Sequence, residues 1–178
     1  QSMHAIKKSL FLFFMLLGGF IQQGLFAQCT SPVNSFPYFD DFEASNGNWV
    51  KSNSDHWEWG QIFTKPVITA AASGTKCWLV GGFSTSSYNS GNSFLQSPCF
   101  DISALIDPRV SFKIFWETER RFDGAAFQYS LDGGSNWLNL GSVNSNANCE
   151  ESNWFNVNPV NFLASPGWSG NIQSTSGS

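Results

Sequence analysis

Between Asn92 and Trp137, apolar and polar residues trade places at every second position through several consecutive runs. A period of two belongs to a strand and not to a helix. Ser93–Cys99 is apolar and rich in β-formers. Arg109–Trp116 sets Val110, Phe112, Ile114 and Trp116 on one face, and Ala125–Ser130 does the same with Ala125, Phe127 and Tyr129. The next residues, Leu131-Asp132-Gly133-Gly134, tolerate positive φ, so Ala125–Ser130 is expected to fold back on Asn136–Leu140 as a hairpin. Three strands and a tight turn in one stretch call for a β architecture.

The N-terminus fixes the compartment. Lys7 and Lys8 precede the apolar run Leu10–Ile21, which closes on Gly24-Leu25-Phe26-Ala27-Gln28, the layout of a secretory signal peptide cut after Ala27. The run falls short of the ~20 residues that span a bilayer. Residues 1–27 are therefore read as a leader and 28–178 as one mature domain with no membrane span, secreted, extracellular or held at the cell surface. Gln28 is larger than the small residue that lipoprotein processing prefers before a cysteine, which argues against a lipid anchor on Cys29.

Composition narrows the class further. Beyond Ala27 the chain is rich in Phe, Trp, Gly, Ser and Asn, and poor in charge, as suits a β-sandwich. All thirteen acids lie there against seven Lys and Arg, a formal net charge of −6. No basic stripe exists to attract phosphates, so nucleic acid is excluded as a partner. Four cysteines, Cys29, Cys77, Cys99 and Cys149, are an even number in a chain bound for an oxidising compartment, and disulfides are expected, with three connectivities open. A zinc site has little support, because no Cys-x-x-Cys pair occurs and His56 is the sole histidine beyond the leader.

Along the mature chain, Phe36–Glu43 (FPYFDDFE) alternates weakly and contains Pro37, as in an edge strand or strand start. Its Asp40, Asp41 and Glu43 form either a solvated strand end or a structural Ca²⁺ site, since hard cations take carboxylate and carbonyl oxygens. Trp57 and Trp59, at i and i+2, point the same way on a strand, with His56 and Glu58 opposite. They are either core or, together with Tyr88 in the polar loop Ser84–Asn92, an aromatic platform for a ligand. Ile68–Ser73 leads into a strand at Lys76–Val80 that stops at Gly81-Gly82. Ser142–Ser152 reads as a surface loop held by Cys149, and Phe155–Phe162 as a short strand. The end, Pro166-Gly167-Trp168-Ser169-Gly170 and then NIQSTSGS, offers no closing apolar strand. A sandwich of the strands counted so far keeps an unpaired edge, which domains avoid, so a domain incomplete at its C-terminus is expected.

FPYFDDFE, SDHWEWG, SFLQSPCFDIS, FDGAAFQYSLDGGSNWLNLG and PGWSG, in that order, resemble the jelly-roll module repeated in large secreted and surface proteins of gliding bacteria. That module is similar in layout to the MAM domain of animal adhesion receptors, with an early Phe-Glu and a later Leu-x-Ser-Pro strand. The resemblance runs from about Cys29 to Gly170. It implies an antiparallel β-sandwich of the concanavalin or MAM-like jelly-roll kind, used for adhesion or glycan recognition. Such modules are appended to proteases or to repeat proteins exported by the type IX system. The family continues with further strands and a sorting domain.

Two enzyme readings compete with this one. Ser130-x-Asp132-x-Gly134-x-Asn136-Trp137 is similar to the Asp-box hairpin of bacterial sialidases, but that box is structural, and a propeller needs several copies where one is visible. Glu117 and Glu119 project from one face of an extended segment, with Arg121 and Asp123 next in the row, and paired carboxylates perform glycoside hydrolysis when they flank a scissile bond. Lectin-like glucanases carry three such acids along one strand. Here there are two, which can equally face solvent or pair with Lys113, Arg120 or Arg121. No serine stands in a nucleophile-elbow context.

The residues thus point to a non-catalytic extracellular adhesion or carbohydrate-binding module of a larger protein. The alternative is an accessory domain of a secreted protease or glycoside hydrolase, with Glu117 and Glu119 as its acid/base pair. The expected partners are a glycan or a cell-surface protein, and other domains of the same polypeptide. The expected ligand-binding residues are Trp57, Trp59 and Tyr88, and the one cofactor considered is structural Ca²⁺ on Asp40, Asp41 and Glu43.

Overall fold

The computed structural model describes residues 29–52, 57–63, 65, 67–83, 91–143 and 154–171. The leader, His56, Tyr88 and Cys149 lie outside these residues. Among the described residues there are eight strands, β1 (Val50–Lys51), β2 (Trp57–Gln61), β3 (Lys76–Val80), β4 (Leu95–Gln96), β5 (Gln128–Tyr129), β6 (Leu138–Asn139), β7 (Val157–Val160) and β8 (Ser165–Gly167), and no helix. They pair antiparallel as β1–β4, β2–β3, β5–β6 and β7–β8. The protein is all-β, as its two-residue periodicity requires.

Where a short apolar or alternating run meets turn chemistry, the expected elements form. Lys76–Val80 is a strand with the expected bounds, paired so that Trp59 faces Trp78 and Trp57 faces Val80. It stops where Gly81 and Gly82 take φ of 82° and 66°, and the Glu58 carboxylate accepts the Phe83 N–H at 2.8 Å just beyond. The 125–140 hairpin also forms, with Tyr129 opposite Leu138, Gln128 opposite Asn139, and Leu140 N–H donating to Phe127 C=O at 3.0 Å.

Four expectations need correction. Phe36–Glu43 is not a strand, because the Asp40 and Asp41 carboxylates bond the main-chain N–H two residues on (Phe42 at 2.8 Å, Glu43 at 3.0 Å) and Phe42 takes φ 59°. Such Asx turns offer the backbone an alternative to a ladder. In Ser93–Cys99 the ladder is confined to Leu95–Gln96. Arg109–Trp116 buries Trp116 and packs Phe112 and Ile114 on the core, yet its backbone joins no ladder among the described residues. Its alternation therefore reports which side chains are buried and not which strand lies alongside.

The fourth correction concerns the C-terminal segment, which has no run of apolar residues and is nevertheless the centre of the second half of the chain. On one side β8 pairs with β7, and on the other Trp168 and Ala125 exchange N–H···O=C bonds of 2.8 and 3.0 Å, while Thr118 N–H donates to Gly170 C=O at 2.8 Å. These backbones approach so closely that a Cβ on Gly124 would collide with the Trp168 carbonyl, and one on Gly167 would stand 2.6 Å from the Ala125 carbonyl. Glycine at 124 and 167 is what admits the pairing. Trp168, 2% exposed, is ringed by Phe112, Trp116, Trp154 and Phe155 at centroid distances of 4.8–6.2 Å. Next to it Ser169, 1% exposed, donates its hydroxyl to Asp123 C=O at 2.7 Å and accepts the Arg121 N–H at 2.8 Å. Asn156 bonds the Ser169 main chain on both sides, so one serine clasps the 119–123 turn to β7.

Of the cysteines, Cys29 and Cys99 form a disulfide across a sequence separation of 70. The bridge holds the start of the domain beside Phe100, where Val33 pairs in parallel with that residue. Cys77 is a half-buried free thiol in β3, opposite Gly60, and burial pushes its pKa up.

Candidate functional site

The β5–β6 hairpin combines rigid geometry with an exposed ring. Asp132 organises its turn: Oδ1 accepts the Asn136 N–H at 2.8 Å and the Ser130 hydroxyl at 2.7 Å, and Oδ2 accepts the Asn136 side-chain amide at 2.5 Å. Ser130 Oγ in turn accepts the Gly134 N–H at 2.8 Å. Gly133 and Gly134 take φ of 73° and 94°, a region where a Cβ is strained. Trp137 then folds back over the turn, its Nε1–H donating to Gly134 C=O at 3.0 Å, and keeps 41% of its surface exposed.

The hydrogen bonds from Asn136, first its side chain and then its backbone, together with that from Ser130, lower the Asp132 pKa to about 2. A carboxyl more acidic folded than unfolded adds stability that is fully present above the ordinary aspartate range near pH 4 and is lost as pH falls through 2. An NMR titration is expected to place the Asp132 carboxyl near 2, with the turn amides of Gly134 and Asn136 shifting in step. A midpoint at 4 contradicts this geometry.

Strand alternation sorts the hairpin into two faces. Phe127 packs in the core against Phe112 and Trp154, whereas Tyr129 and its partner Leu138, of the same parity farther along the hairpin, are exposed. Gln128, Asn139 and Trp137 have the opposite parity and share the face turned away from Phe127, here the outer face. There Gln128 Nε2 donates to Asn139 Oδ1 at 3.0 Å. Among the described residues the Gln128 carbonyl oxygen and the Asn139 amide NH₂ have no partner.

The residues singled out from sequence are placed differently. Trp57 and Trp59 share a face, but both are half-buried and fastened by their Nε1–H groups, Trp57 to Ser93 Oγ at 3.1 Å and Trp59 to Phe42 C=O at 2.8 Å. The Lys76 ammonium covers the Trp59 ring at 4.7 Å. Tyr88 lies outside the described residues. Asp40 and Asp41 serve the turns described above. Glu43 turns to β3, where Oε1 accepts the Lys76 and Thr75 N–H groups at 2.7 and 2.8 Å and Oε2 accepts the Thr75 hydroxyl at 2.8 Å, which lowers its pKa. The three carboxylates do not converge, and among the described residues no group of three His, Cys, Asp or Glu is placed to hold a metal ion.

Glu117 and Glu119 are both exposed, and the row they were expected to start ends at once. Glu119 C=O accepts the N–H groups of Phe122 and Asp123 at 3.1 and 3.0 Å, and Arg121 takes φ 71°, so the chain turns and Arg121 and Asp123 leave the face. Neither glutamate pairs with Lys113, Arg120 or Arg121; among the described residues the ion pair formed is Arg109–Asp107. The Ser169 hydroxyl is occupied by backbone groups.

Sequence reading missed Trp137 as a surface residue. The available signal was parity: once Phe127 is assigned inward and the turn is placed at Leu131–Gly134, the alternation puts Trp137 on the face opposite Phe127.

No family model matches the chain, and no solved structure matches it. Over 131 residues, 71% of its length, it is 29% identical to Bacillopeptidase F of Bacillus subtilis (strain 168). The aligned stretch is 9% of that protein, so the chain is similar to a small part of a much longer peptidase.

Proposed function

We propose that this chain is an exported, non-catalytic binding module, a MAM-like jelly-roll β-sandwich carried as an accessory part of a larger polypeptide with peptidase activity. The observation that carries this reading is the disproportion of the match: most of this chain corresponds to 9% of a peptidase. A segment that small beside so long a chain suits an appended domain. The Cys29–Cys99 disulfide supports an oxidising, extracellular setting. The exposure of Glu117 and Glu119, neither of them in an ion pair among the described residues, and the engagement of the Ser169 hydroxyl by backbone groups favour binding over catalysis.

The reading is tested by incubating the full chain, produced by secretion, with casein and with soluble β-glucans, alongside Glu117→Gln. No release of peptides or reducing ends is expected from either protein. Hydrolysis by the wild-type chain that disappears in Glu117→Gln overturns the reading and makes the chain itself an enzyme.

A further inference from the structure

We propose that the outer face of the β5–β6 hairpin is a binding site for an uncharged glycan, with Trp137 as the stacking platform and the Gln128–Asn139 amide pair as the hydroxyl ligand. The inference rests on the binding-module reading and names the site and ligand class of that module.

Three observations converge on this face. The first is the ring itself. Trp137 is the one tryptophan among the described residues with more than a third of its surface exposed, whereas Trp116 and Trp168 are core and Trp57 and Trp59 are half-buried anchors. An exposed indole usually reflects loose attachment, but this one is held in place by its hydrogen bond to Gly134 C=O over a turn cross-braced by Ser130, Asp132 and Asn136. A ring fixed before the ligand arrives loses little conformational entropy on binding.

The second is the amide pair. Gln128 and Asn139 share the outer face with Trp137, one strand repeat of about 7 Å along it. Their mutual hydrogen bond uses one donor and one acceptor and leaves the Gln128 carbonyl oxygen and the Asn139 NH₂ to a ligand. A vicinal diol, which both donates and accepts, matches that pair. Because ring and amides are separated along the strand, a glycan of several residues engages both, and a monosaccharide engages one.

The third is charge. From Gly124 to Val143 the sequence contains no Lys or Arg, and its single acid, Asp132, has both carboxylate oxygens committed within the turn. A hairpin that brings an aromatic ring, amides and hydroxyls but no cation of its own offers a sulfated, sialylated or phosphorylated ligand no charged partner from these residues. A neutral polyhydroxylated chain is the chemistry that fits.

The test measures binding of the full chain to cellohexaose, xylohexaose, mannohexaose and chitohexaose, with heparin as the anionic comparison, by calorimetry and by following the Trp137 indole N–H in NMR spectra. Saturable binding to at least one neutral hexasaccharide is expected, tighter than to its monosaccharide, with the Trp137 and Asn139 resonances shifting. Trp137→Ala is expected to weaken it about tenfold or more, Trp137→Phe by a smaller factor because a ring remains, and Gln128→Ala by an intermediate one. Unchanged melting temperatures in these variants show that binding, not folding, has been altered. Equal affinity in wild type and Trp137→Ala, stronger binding to heparin, or no binding to any neutral probe overturns the proposal. If such a result comes with no hydrolysis, the module reading survives and this site alone is lost.

Discussion

Replacing Cys29 and Cys99 together by serine is expected to remove about 4 kcal/mol of stability, the loop-closure entropy of a cross-link spanning 70 residues. Against a domain stability on the order of 5–15 kcal/mol this is a large share. It corresponds to a fall in melting temperature of roughly 8–16 °C for a chain of this size. The bridge acts where the fold is otherwise thin. The segment it tethers, from Cys29 to Lys51, contributes only the two-residue strand β1 and the Val33–Phe100 bridge to the pairing. Equilibrium denaturation of the double variant beside wild type checks this, with Cys77→Ser as the control expected to move the midpoint little. An unchanged midpoint on losing Cys29 and Cys99 contradicts the expected role.

Trp168→Ala is expected to cost about 3–5 kcal/mol, the range for deleting a large buried aromatic side chain. Its ring sits among Phe112, Trp116, Trp154 and Phe155, so truncation leaves a void bordered by rigid rings that cannot collapse into it. Trp168→Phe keeps part of the packing and is expected to lose less than half as much. The two variants read out in near-ultraviolet circular dichroism and in denaturant midpoint. A loss below 1 kcal/mol in Trp168→Ala contradicts the placement of Trp168 at the centre of the core.

The parts of this fold that could be read in the sequence are those in which a local signal determines a local structure. Lys76–Val80 is a short apolar run stopped by Gly81 and Gly82, and Leu131–Gly134 contains the residues that a tight turn demands; both elements form where expected. The misreadings arise where the deciding partner is distant in sequence. Arg109–Trp116 alternates because Phe112, Ile114 and Trp116 meet rings from residues 127, 154 and 168, and alternation alone carries no information about backbone neighbours. Pro166–Gly170 lacks an apolar run, yet its two small residues, Gly167 and Ser169, let three segments converge, a role visible only once Ala125 and Asn156 are in place. The site follows the same rule. Trp57 and Trp59 announce themselves by spacing, but Ser93, Phe42 and Lys76 take up their polar edges and part of their surface. Trp137 closes an Asp-box-like hairpin motif that is structural, and its exposed ring is visible only once the turn is formed and its Nε1–H is held by Gly134 C=O.

The proposal that the chain binds rather than reacts, as a module of a larger polypeptide, is tested most directly by deleting residues 29–171 from the full polypeptide that the proposal assigns them to. Turnover of a small soluble peptide and retention on the macromolecular target are then measured separately. An accessory module predicts unchanged turnover of the small peptide with retention lost. Loss of that turnover, with the remaining polypeptide folded and retention intact, contradicts it.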